Sequence, residues 1–82
     1  MIGWLKGKIL QKWQLSARKG VVLDVSGVGY EIQILSKQLS TINNSIVEQF
    51  WIHQINREDN TNLYGFKEIK QRNLFRKIIS VN

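Results

Sequence analysis

VVLDVSGVGYEIQI, residues 21–34, reads as two short strands folded back on one another. Val21, Leu23 and Val25 share one face of the first run, and Tyr30, Ile32 and Ile34 share one face of the second, which is the two-residue period of half-buried strands. Gly27 and Gly29, between the runs, supply the positive φ angles that a tight turn needs. A nucleotide-binding glycine loop is preceded by a strand and followed by a helix N-terminus. Here a second strand follows, so the glycines mark a hairpin and no ATP site is expected.

Upstream, MIGWLKGKILQKW (residues 1–13) alternates in the same period, with Leu5, Gly7 and Ile9 on one face and Lys6, Lys8 and Lys12 on the other. This is a strand with a basic outer face, and Gly3 and Gly7 mark bends or close backbone approach in a curled barrel. The polar stretch QLSARKG (14–20) connects it to the hairpin. Downstream, SKQLSTINNS (36–45) is polar, with a short helical turn over Lys37–Ile42, and leads into the β-like run IVEQFWIHQI (46–55). NREDNTN (56–62) reads as a turn, because Asn and Asp tolerate left-handed backbone angles, and LYGF (63–66) as a last strand.

From Lys67 the period becomes helical. Leu74, Phe75, Ile78, Ile79 and Val81 occupy one arc, and Lys70, Arg72, Arg76 and Lys77 the other, with Ile69 out of place. The basic side is expected to be solvated, and the apolar side to close the barrel or begin the next packed unit. Five strands with a helical insert between the third and fourth give the order of an OB-type barrel. The expected architecture is therefore mainly β: a five-stranded OB-type barrel over residues 1–66, followed by one amphipathic C-terminal α-helix over residues 67–82.

At 82 residues the chain is one small barrel with a modest core. It has no cysteine, which excludes disulfides and disfavours zinc, so oligomerisation is the remaining way to reinforce such a core. Its start lacks both the unbroken apolar run of about 7–15 residues of a signal peptide and the ~20 needed to cross a bilayer, and a cytoplasmic protein with no membrane association is expected. Twelve Lys and Arg against six Asp and Glu, a net charge of +6, favour a polyanion partner, nucleic acid before membrane.

No catalytic residue, metal site or cofactor is expected. His53 is the single histidine, with no thiol, second imidazole or closely spaced carboxylate beside it in sequence, and reads as a strand residue satisfied by packing or solvent. Trp4, Trp13 and Trp51 leave two roles open: stacking on bases, which contributes about 1–3 kcal/mol per base, or packing in the core or an interface. Glu58 and Asp59 are adjacent carboxylates in a turn of a basic chain, and acidic residues are ordinary in turns.

Taken together and in order, MIGWLKG (1–7), GVGYEI (27–32), REDNTNLYGF (57–66) and FKEIKQRNLFRKIISVN (66–82) resemble the N-terminal region of the RuvA family, the junction-recognising subunit of the bacterial Holliday junction branch-migration complex. The resemblance implies an OB-type first domain and a homotetramer that holds a four-way DNA junction open and flat. It puts Glu58 and Asp59 where the family carries an acidic pin near the junction centre, and it makes Arg57, Lys6 and Lys8 candidates for contact with the DNA backbone. It further implies a non-catalytic subunit, with ATP hydrolysis in the RuvB motor and cleavage in the RuvC nuclease. The family's helix-hairpin-helix motifs and RuvB-binding domain would follow the final helix and are absent from these 82 residues, so weak and salt-dependent junction affinity is expected. Two alternatives stand beside this: a stand-alone OB module that binds single strands through its tryptophans and lysines, and a structural remnant that only associates with itself or with a full-length partner.

Overall fold

A computed structural model of the chain describes residues 1–80. Five strands, β1 (Trp4–Leu15), β2 (Arg18–Val25), β3 (Val28–Ile34), β4 (Val47–Asn56) and β5 (Thr61–Phe66), close into a barrel in the order β1-β2-β3-β5-β4. All pairings are antiparallel except β3 with β5. A short helix, α1 (Ser36–Leu39), lies between β3 and β4, and α2 (Ile69–Ser80) follows β5. This is the expected OB-type barrel with its C-terminal helix.

Closure depends on β1 serving two neighbours. Its first half, Trp4–Lys8, pairs with β4, and from Lys8 onward it pairs with β2, with a register shift between Ile9 and Gln11. Such a bulge bends the strand and lets one long strand turn a barrel corner. It also inverts the alternation. Lys12 therefore does not share the outer face of Lys6 and Lys8: it stands opposite the fully buried Val21, at the rim beside Ile42 and Asn43.

The inward faces of the central hairpin are as the sequence predicts, with Val21, Leu23, Ile32 and Ile34 buried alongside Leu5, Ile9, Phe50, Ile52 and Leu63. Ile42, at the end of the turns that continue α1, is fully buried and plugs one mouth of the barrel. The hairpin turn is shorter than predicted. Ser26 (φ 52°) and Gly27 (φ 89°) alone make it, the pair of positive φ angles of a two-residue hairpin loop, and Asp24 Oδ1 accepts a hydrogen bond from the Gly27 N–H at 2.8 Å. Gly29 belongs to β3, opposite Asp24.

The polar stretch 14–20 is likewise mostly strand, with only Ser16 and Ala17 outside β1 and β2. It is polar because this hairpin extends to solvent, not because it lacks ladder bonds. Gly7 marks the close approach expected of it: a Cβ there would run into the Asp24 carbonyl. Gly7→Ala is expected to cost about 1–3 kcal/mol, read as a lower urea midpoint, because the obstacle is the main chain of β2. Gly3→Ala, whose Cβ would meet nothing within 4 Å, is the near-neutral control.

The helix departs most from expectation. Of its apolar arc Phe75 packs on the barrel, whereas Leu74, Ile78 and Ile79 are 59%, 63% and 43% exposed. The half-buried side carries Gln71, Arg72, Phe75 and Arg76, so two residues assigned to the solvated basic arc face β4 and β5 instead. Val81, assigned to the apolar arc, lies outside the described residues.

Candidate nucleic-acid interface

Glu58 and Asp59 sit in a four-residue loop, residues 57–60, joining β4 to β5. Asn56 pairs with Thr61 at its base, and the Arg57 N–H donates to the Asn60 carbonyl at 2.8 Å. Asn56 Oδ1 also accepts from Gln54 Nε2 at 2.8 Å and from Thr61 Oγ1 at 3.2 Å. The result is a loop tied at its base with an exposed tip.

Neither tip carboxylate is neutralised. Among the described residues the one ion pair joins Lys67 to Glu48 at 3.4 Å, so Arg57, though adjacent, does not pair with either. A net charge of +6 thus surrounds a projecting spot of two unpaired negative charges.

The position of this spot follows from topology. Because β3 and β5 run parallel, the acidic loop before β5 and the turn before β3 lie at the same end of the barrel. The β1–β2 turn with Arg18 and Lys19, and α1 with Lys37, lie at the other.

The three basic candidates are not gathered into one cluster. Arg57 belongs to the acidic loop itself, whereas Lys6 and Lys8 are exposed on β1 beside Gln49 and Val47 of β4. Those partners precede Arg57 by eight and ten residues, about 26 and 33 Å of strand.

The tryptophans divide similarly. Trp4 is 44% exposed on the outer wall, tilted against the half-buried Trp51 with ring centroids 6.5 Å apart. Arg72 caps Trp51, its guanidinium 5.3 Å from the ring, and Trp13 donates its Nε1–H to the Val21 carbonyl at 3.0 Å. A row of three free stacking platforms is not what the barrel presents.

His53 is held by packing, as its isolation in the sequence suggests, and also by a partner that sequence does not reveal. Its Nδ1 accepts a hydrogen bond from Arg76 Nε at 3.0 Å, with the Phe75 ring edge-on at 5.6 Å. Burial, followed by the charges of Arg76 and Arg72, holds its pKa below the ordinary histidine value. Among the described residues no cluster of three His, Cys, Asp or Glu could hold a metal ion, and no helix is long and apolar enough to cross a membrane.

A sequence model of the family described as "RuvA N terminal domain" matches residues 1–65. Proteins named "Holliday junction branch migration complex subunit RuvA" are similar along the whole chain: 60% identical in Prochlorococcus marinus (strain NATL1A), 50% in Prochlorococcus marinus (strain MIT 9211) and 43% in Synechococcus sp. (strain CC9311). Each alignment covers 100% of this chain and 37% of the relative, so the chain spans little more than a third of the length of these curated relatives. The family match runs almost to Phe66, where the last barrel strand ends, and the chain belongs to the RuvA N-terminal domain family.

Proposed function

We propose that this chain is the junction-shaping barrel of a four-way DNA junction-binding subunit, acting in recombination and repair as part of a branch-migration complex. The observation that carries this reading is the exposed, unpaired Glu58–Asp59 loop at one end of a basic barrel. In a homotetramer on a junction, such loops would surround the point where strands cross. A carboxylate and a phosphate about 6 Å apart repel by only ~0.7 kcal/mol in water, but several such pairs in an enclosed centre add up. Repulsion there, with attraction around it, keeps the junction open and steers strands apart.

The subunit recognises DNA and does not turn over substrate; ATP hydrolysis belongs to the RuvB motor and cleavage to the RuvC nuclease. Residues 1–66 form the barrel domain, and the helix within residues 67–82 opens a second unit. The exposed Leu74, Ile78 and Ile79 support that division, since a 12-residue helix that leaves its apolar residues in water has a face for following chain to cover. Arg57, Lys6 and Lys8 are the proposed backbone contacts. A DNA substrate of this kind puts the protein in the cytoplasm.

The test is competition binding of this 82-residue chain among a four-way junction, linear duplex and single strands of equal phosphate count, at low and moderate salt. Preference for the junction at both salts is expected, with affinity falling steeply as salt rises. Preference for single strands would favour instead the open face of Trp4 beside Lys6.

A further inference from the structure

The helix α2 is held to the barrel by an unusual set of groups. Phe75 packs against Tyr64 and Phe66, with ring centroids 5.3 and 5.2 Å away, Gln71 Oε1 accepts a hydrogen bond from Gln38 Nε2 of α1 at 2.7 Å, and two arginines one turn apart reach β4 and the residue before β1. Arg76 donates from Nε to His53 Nδ1 at 3.0 Å and from a terminal nitrogen to the Ile52 carbonyl at 3.2 Å. Arg72 donates to the Gly3 carbonyl at 3.2 Å while lying over Trp51.

Every acceptor that the two arginines meet is neutral: two carbonyls, an aromatic face and an imidazole nitrogen. A guanidinium remains charged at any ordinary pH, so the arginines cannot switch the contact off. His53 can. To accept from Arg76 its Nδ1 must carry a lone pair, which requires the neutral imidazole with its proton on Nε2.

We propose that Arg72 and Arg76 are positioning residues that latch α2 to the barrel, Arg76 through an unprotonated His53, and so fix the direction in which the chain leaves the barrel. The latch rests on the barrel–helix contact alone and stands whether or not the DNA reading does.

The surroundings of His53 offer a proton no compensation. From α2 it faces Arg76, Arg72 and Phe75; across the ladder on β5 it faces Tyr64; and Gly3, just before β1, contributes the carbonyl bound by Arg72. Among the described residues no carboxylate pairs with any of these groups. Protonation would replace an acceptor by a donor and set a second cation against the guanidinium. The sign follows. The histidine pKa is lowered in the docked state, so docking is fully supported at neutral pH. It weakens as pH falls below the ordinary value of 6.5 and through the docked one.

The experiment is a joint measurement on the 82-residue chain between pH 7.5 and 5.0: His53 ionisation by ring nitrogen chemical shift, and amide exchange of α2 corrected for its intrinsic pH dependence. Exchange in α2 is expected to quicken about tenfold or more relative to β2 and β3, with the midpoint of His53 protonation. His53→Gln is expected to make α2 exchange independent of pH, and Arg76→Gln to speed it at every pH while barrel amides stay protected. Protection of α2 that does not vary with pH in the wild-type chain, or unchanged pH dependence in His53→Gln, would overturn the latch. Neither result depends on DNA binding, which the competition assay reads separately.

Discussion

Phe50→Ala is expected to lower the stability of the barrel by about 3–5 kcal/mol, the cost of emptying a fully buried phenylalanine site. Phe50 has no exposed surface, stands opposite Leu5 on β1, and heads the fully buried side chains by volume. It also packs beside Gly65 of β5, so it links both neighbours of β4 across the core. A chain of 82 residues has a total stability of only about 4–12 kcal/mol, and the loss removes a quarter to all of it. Urea denaturation checks this: the midpoint falls with the slope unchanged if the fold survives, and the far-ultraviolet signal is already non-native without urea if it does not. A loss below about 1 kcal/mol would contradict the place of Phe50 at the centre of the core.

The second large effect is on selectivity, not stability. Glu58→Lys with Asp59→Lys alters an exposed loop whose carboxylates have no ion-pair partner among the described residues, and surface changes of this kind move stability by about 0.5 kcal/mol or less. Each reversal adds two charges, so the net charge of +6 becomes +10. Affinity for every DNA form should rise at low salt, roughly tenfold or more for duplex, with a steeper dependence on salt as more phosphates are neutralised. The ratio of junction to duplex affinity should fall, because repulsion at the crossing becomes attraction that any backbone satisfies. Competition binding of the double variant beside the wild type measures that ratio. An unchanged ratio would remove the acidic loop from junction recognition.

The barrel was legible in the sequence because its central hairpin, β1 as far as Ile9, and the Phe50–Ile52 part of β4 alternate in the two-residue period. What alternation hides is a bulge. One extra residue at Leu10 carries no compositional mark, yet it sends Lys12 to the opposite side from Lys6 and Lys8. The acidic loop was readable as a turn from its Asn and Asp content, and only its unpaired state is a property of the folded chain.

The helix forms where its period places it, and what the wheel hides is which side meets the barrel. A wheel sorts residues by polarity and assumes that the apolar arc is the buried one. Here the buried stripe is an arginine–phenylalanine–arginine row whose donors find carbonyls, an imidazole and an indole on β4 and near β1. Those partners are 21 to 69 residues away in sequence, and nothing local to either segment announces them.

Photo-crosslinking from the acidic loop tests its proposed place at the junction most directly. The chain has no cysteine, so Asn60→Cys carries a single short photo-crosslinker next to Glu58 and Asp59 while leaving both carboxylates intact. On a four-way junction with each strand end-labelled in turn, the crosslinks are expected at the nucleotides flanking the strand exchange point, and they should be lost on linear duplex of the same sequence. Crosslinks spread along the arms, or an equal yield on linear duplex, would contradict a loop that meets the crossing strands.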